Sequence, residues 1–365
     1  GFLARSQQLY DLYFKNFSQH YNAAQTALNL AGQAFKAEDW EKAIRFHTLV
    51  ATVYTNSPYY ASSLNYLATC CGKMDDEEGQ KTWLRKFVEA SKKVNEKSAA
   101  QFQLAIMQQR AGFANLAAAA ETNVVEAAEQ LRKSGAADVK GAIADFHAVG
   151  ETLTKELDAN KSLEAAEKEK FLTRREQAMF LEADSWQRLA WPEDEIPENR
   201  KKAVAAFEEY LKAYPKGKYG PVALVKIGTI HTADKNMDAS QKAFARLQES
   251  FPESDEAKNS VPRLAKTLIE MGLRQEGVAQ YKQMLETKGG KYTSGQFLLA
   301  GDALLEAKGW DVATEAYTRA IDLSKDVTNK AARAAIVARA ALGQATASVG
   351  QQQYADAHQK LDELI

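Results

Sequence analysis

YGPVALVKIGTIHTADKNMDASQKAFARLQESFP, Tyr219 to Pro252, decides the fold. At a helical period its first half sets Leu224, Ile227, Gly228 and His231 on one stripe, and its second half sets Phe244 and Leu247 on another. Pro252 cannot continue a helix and fixes the exit turn. The stretch therefore predicts a helical hairpin. Gly228 and Ser240, twelve residues apart, are the small residues that let its two helices approach, while the large residues fill the gap to a neighbouring hairpin.

Working outward, Phe207, Phe244, Tyr281 and Tyr317 stand 37, 37 and 36 residues apart in the same local pattern. A period in the mid-thirties built from two helices and a turn is the signature of a helical-repeat solenoid. A copy downstream has Phe297, Ala300, Gly301 and Leu304, then Trp310 at the turn, then Ala313, Tyr317 and Ala320. Between the two lies a weaker copy with Val261, Leu264, Ala265, Leu268, Gly272, Gly277, Tyr281 and Met284. Upstream, Ala203, Phe207, Tyr210 and Pro215 mark half a copy. A last one holds Leu342, Gly343, Gly350, Ala357 and Leu361, with a turn about two residues longer than usual.

The first third follows the same logic. Leu28, Gly32, Phe35, Trp40, Ala43 and Pro58 predict one repeat whose turn lacks a residue, and Leu64, Ala68, Gly79, Trp83 and Phe87 a second. Phe102, Ala105 and the run Leu116 to Ala120 predict a third. Residues 1–22, with Tyr10, Tyr13, Phe14, Phe17 and Tyr21, read as an aromatic opening helix packed on the first repeat. Over 121–190 the period breaks into longer helices, Glu121 to Lys133, Asp138 to Leu157 and Ser162 to Ala190, with Gly135 and Asn160 as the breaks. The acidic, proline-marked WPEDEIPEN, Trp191 to Asn199, is the expected boundary loop. The domain reading is 1–120, 121–198 and 199–365.

These spacings resemble the tetratricopeptide repeat, over roughly residues 28–110 and 199–365. The resemblance implies an all-α superhelical solenoid of helical hairpins that displays surface to protein or peptide partners. In that family, positions 2, 5, 9 and 12 of each first helix line the concave face. By register these are Thr26, Asn29, Gln33 and Lys36 in the first repeat, Val222, Val225, Thr229 and Thr232 in the clearest one, and Leu298, Asp302 and Leu305 in the copy after it. The family's carboxylate clamp for chaperone C-termini needs lysine at 5 with asparagine at 9, a pair this chain lacks. AFEEYLKAYPKGKYGPVALVKIG, Ala206 to Gly228, and FARLQESFPESDEAKNSV further resemble the bacterial envelope branch, the tol-pal system periplasmic protein and the outer-membrane assembly lipoproteins. That implies a scaffold in an envelope complex and an envelope or periplasmic location, with a cytoplasmic adaptor that binds a peptide segment, or the repeat portion of a larger enzyme, as alternatives.

Composition narrows the partners. The 47 Lys and Arg nearly balance 48 Asp and Glu, so no net field draws in nucleic acid, and no apolar run reaches the about 18 residues of a membrane span. Cys70 and Cys71, adjacent on a predicted helix, read as free, half-buried thiols. The opening Gly-Phe, in place of Met, reads as a trimmed start, and the apolar face of the last stretch, Tyr354 to Ile365, as an array that continues beyond Ile365 or an end that a partner covers.

Chemistry finds no foothold in the sequence. The five histidines, His20, His47, His147, His231 and His358, form no metal-binding spacing, and KGGKYTSG, Lys288 to Gly295, lacks the first glycine of a phosphate loop and has Tyr292 where Ser or Thr must hold magnesium. Asp75 to Glu78 fit a helix start rather than a calcium loop. No catalytic residue, metal or cofactor is expected. The two or three residues by which the period exceeds 34 are expected in exit links such as ETKGGKYTSG.

Overall fold

The computed structural model describes residues 2–20, 22–270, 272–286 and 292–362, and it is all-α, with no strand among the described residues. The chain divides into two compact units, Gly1–Ala206 and Phe207–Ile365. Unit 1 holds α1 (Phe2–Asn16), α2 (Ala23–Lys36), α3 (Trp40–Val53), α4 (Tyr60–Lys73), α5 (Glu77–Ala90), α6 (Val94–Glu121), α7 (Val125–Ala159) and α8 (Ala165–Arg188). A 3-10 turn, Glu193–Glu195, leads into α9 (Ile196–Ala213), within which the division falls. Unit 2 continues with α10 (Gly220–Ala233), α11 (Met237–Ser250), the one-turn α12 (Asp255–Lys258), α13 (Ser260–Glu270), α14 (Arg274–Glu286), α15 (Ser294–Glu306), α16 (Trp310–Ser324), α17 (Lys330–Gly350) and α18 (Tyr354–Asp362).

Six hairpins turn through the same link. The middle residue is left-handed each time: Glu38, Asp75, Lys235, Lys308 and Gln352 at φ 56 to 64°, and Gly272 at 82°. The next residue's N–H donates to the carbonyl five residues back, as in Asp39 to Ala34, Asn236 to His231 and Gly309 to Leu304, at 3.0, 2.8 and 2.8 Å. These are Schellman motifs, which satisfy the orphan carbonyls of the first helix. Asp39, Asp76 and Asn236 then cap the second helix by accepting from the N–H of Lys42, Gly79 and Ala239. The acidic run at Asp75 thus serves a turn and a cap.

Counting from the left-handed residue fixes the register. Seven residues before it stands a buried small residue, Ala31, Ala68, Gly228, Ala265, Gly301 or Ala345; five after it stand Ala43, Gln80, Ser240, Gly277, Ala313 and Ala357. Three hairpins depart from the expected register. In the first hairpin Ala31, not Gly32, is the small packing residue, and no residue is missing from the turn: a Cβ on Gly32 would meet nothing within 4 Å. In the second, Gln80 and Leu84 replace Gly79 and Trp83. In the last, Ala345 replaces Gly343, and the turn has ordinary length; Gly343 instead lies against the Tyr317 ring of the preceding hairpin.

The expected third repeat is absent as such. Residues 94–121 form one 28-residue helix, and α7 runs 35 residues straight through Gly135. Gly135 is no break because it serves a crossing: a Cβ there would stand 2.7 Å from the carbonyl oxygen of Gly112, and the reverse contact is equally short. Asn160 does end α7. Phe102 packs its ring on Phe146, 5.7 Å between centroids, in a core shared by α6, α7 and α8. The opening helix rests on the first hairpin through Tyr10 and Phe14, 6.5 and 6.1 Å from the Phe46 ring; Tyr21 lies outside the described residues. WPEDEIPEN is a loop only to Pro192, since its remainder is the 3-10 turn and the start of α9. One exit link, 251–259, is partly helical as α12, and half of ETKGGKYTSG, 287–291, lies outside the described residues. Cys70 and Cys71 are free and fully buried rather than half-buried, because both face the packed side of α4.

Candidate functional site

In unit 2 the first helices of three successive hairpins, α13, α15 and α17, line a groove of about 450 Å³. Its apolar surface comes from Pro262, Ile269, Leu299 and Ala303, with the edge of Tyr281. Leu299 is 61% exposed, because the turn-defined register puts Leu298 and Leu304 into the core and leaves the residue between them facing outward. Arg263 and Lys266 on α13, Asp302 on α15 and Arg339 on α17 supply charge, and Glu270 and Glu306 end α13 and α15.

A polar network fixes the groove wall. The buried Tyr317 hydroxyl on α16 donates to Asp302 Oδ1 at 2.8 Å, and Arg339 donates to Asp302 Oδ2, tying α15, α16 and α17 together. Burial and the bond to Asp302 push the Tyr317 phenol far above its ordinary value, which keeps it a donor. Tyr281 is likewise raised, by burial first and then by Glu270 and Glu306; its hydroxyl reaches the Pro262 carbonyl at 3.4 Å. Gln296 bonds across to Asn259, linking the start of α15 to the residue before α13. Thr293 and Gln296 form a capping box on α15, so the described end of KGGKYTSG is a helix start.

Of the residues expected to line a concave face, Asp302 alone borders this groove. Leu298 is buried and Leu305 packs on the same core. Val225 and Thr232 are buried, Thr232 bonding to the Gly228 carbonyl and to Ser240 Oγ at 2.7 Å. Val222 is half-buried, and Thr229 is exposed. In the first hairpin the one-residue shift moves the positions to Gln25, Leu28, Gly32 and Phe35; Thr26 bonds to its own helix at the Asn22 carbonyl, Asn29 accepts from Gln25, and Gln33 and Lys36 are exposed. Arg263 and Leu299 are among the groove residues that the repeat pattern passed over. A doubled leucine at 298–299, of which a helix stripe uses one, is the signal that could have found the second.

Unit 1 has a separate concavity of about 430 Å³ between α4, α5 and α6, lined by Asn65, Thr69, Lys73, Gln80 and Gln103. Among the described residues no group of three His, Cys, Asp or Glu side chains converges to hold a metal ion, and no helix is long and apolar enough to cross a membrane. His47 is the buried histidine: 1% exposed, it stacks on Tyr66 at 4.9 Å and sits 3.3 Å from Ser63 Oγ.

No protein-family model and no curated protein sequence matches the chain. Among solved structures it is similar to a tetratricopeptide repeat protein from Parabacteroides merdae, at 12% identity and a TM-score of 0.38, over 87% of this chain and 98% of that one. It is also similar to the assembly chaperone of RpL4, Acl4, at 12% identity and a TM-score of 0.38, over 77% and 95% of the two chains. A third is the TPR2AB domain of yeast Sti1 in its HSP90 complex, at 13% identity and 0.30, over 87% and 98%. The assignment of hairpin repeats rests on the six turns and their packing.

Proposed function

We propose that the protein is a non-enzymatic interaction scaffold of the tetratricopeptide type, and that the α13, α15 and α17 groove seats a segment of a protein partner. The observation that carries this reading is Leu299, a large aliphatic side chain left outward in a groove whose polar wall is held in place by the Tyr317, Asp302 and Arg339 network. Selection from a displayed peptide library tests it. Enriched peptides should lose at least about tenfold in affinity on Leu299→Asp, while the variant keeps its melting temperature, since Leu299 is exposed. Binders indifferent to Leu299→Asp, or no enrichment, would overturn the reading.

The finer reading places this scaffold in a bacterial envelope complex. It is supported by Ala206 to Gly228, whose tyrosine-proline exit and polar link resemble the envelope branch of the family. Fractionation of the native full-length protein tests it: recovery with the periplasm or membranes is expected, and recovery with the cytoplasm alone favours a cytoplasmic adaptor.

A further inference from the structure

Charge along the groove is ordered. Arg263, near the start of α13, makes no side-chain ion pair or hydrogen bond among the described residues. Arg339 is committed to Asp302, and Lys266 reaches Glu270 at 3.6 Å on the exposed surface. At the opposite edge, Glu270 and Glu306 are the last residues of their helices, where the helix dipole disfavours a carboxylate. Both line the groove together with Tyr281, and Glu306 has no basic partner among the described residues. The groove thus has an unmatched cation at one end, two carboxylates at the other of which Glu306 is unmatched, and Leu299 and Ile269 between them.

Resting on the groove reading above, we propose that the occupant is an extended protein segment with one acidic and one basic side chain about three residues apart, flanking an aliphatic one. The acidic group meets Arg263, the aliphatic one Leu299 and Ile269, and the basic group Glu270 and Glu306. Arg263 and Glu270 are seven residues apart on α13, about 10 Å along its axis, which an extended chain covers in about three residues. A helical occupant would place the same two charges about seven residues apart over that length, so an acid and a base enriched at that spacing would overturn the extended form.

Parallel selections from one peptide library test this, on the wild-type chain, on Arg263→Glu, and on Glu270→Lys with Glu306→Lys. All three positions are exposed, so melting temperatures should be retained. Wild type should enrich an acid and a base about three residues apart around Leu, Ile or Val. Arg263→Glu should enrich two bases and the double variant two acids, each binding its matched peptides about three- to tenfold more tightly than the mismatched ones. Binders that need Leu299 but show the same charge pattern on all three proteins would overturn this proposal and leave the scaffold reading standing. Absence of any Leu299-dependent binder would sink both. A concentration-dependent dimer in sedimentation that Leu299→Asp abolishes would assign the groove to a second copy of the chain, and would overturn it as well.

Discussion

At the residue scale, two glycines on equivalent-looking helices have opposite roles. A Cβ on Gly301 would stand 2.5 Å from the Tyr317 ring, which is wholly buried and bonded to Asp302 and so cannot retreat. Gly301→Ala should therefore cost about 1 to 3 kcal/mol in urea unfolding. Gly32, in the same apparent place in the first hairpin, has open space around it, so Gly32→Ala should stabilise by about 0.5 to 1 kcal/mol. Equal costs for the two would refute the register fixed by the turns. His47 supplies a pH signature. Burial lowers its pKa from 6.5 to about 4, so the folded state holds the neutral ring. Above pH 6.5 neither state is protonated and the stability is complete; as the pH falls from 6.5 towards 4 the unfolded chain takes up a proton that the folded one refuses. Roughly 3 kcal/mol should be lost across that window. His47→Leu, which copies Leu84 at the matching place in the next hairpin, should flatten that slope in denaturant titrations run at several pH values.

At the element scale, α6 and α7 interrupt the hairpin series by crossing at a pair of glycines. Gly112→Ala drives a methyl to 2.7 Å from the backbone carbonyl of Gly135, a rigid neighbour, whereas Gly141→Ala on the same helix pair finds its nearest atom 3.5 Å away on a flexible glutamine. The first should destabilise by about 2 kcal/mol and the second be neutral or slightly stabilising, which thermal melts of both variants would check. This pair also shows what sequence could and could not tell. Helical periodicity found the hairpins around Gly228, Ala265 and Gly301, where aromatic residues mark the second helix. It misplaced Gly32, Gly135 and Gly343, because glycine means a turn, a close crossing or nothing, and the difference lies in what stands opposite. The feature that sets the register is the left-handed turn residue, and five of the six are Glu, Asp, Lys, Lys and Gln, which no composition rule marks. The groove was half legible for the same reason. Asp302 fell to the repeat pattern, while Leu299 and Arg263 emerge only once the turns decide which face of α13 and α15 is packed.

At the scale of the whole molecule, hairpins that contact their neighbours within each unit allow a 365-residue chain without one deep core, and in unit 2 they leave a row of first helices facing outward. In unit 2 that row is a groove with an aliphatic floor, a braced polar wall and charge ordered from Arg263 to Glu306. Binding along that row is the central claim. The measurement that tests it most directly is site-specific photo-crosslinking of the native full-length protein in its own cells, with benzoylphenylalanine at Leu299 and, in parallel, at Lys242, which is exposed on α11. The account predicts a discrete crosslinked protein from position 299, absent from position 242 and mapping to a short segment with an acidic and a basic residue around an aliphatic one. The same crosslinks from both positions, or none from Leu299, would contradict it.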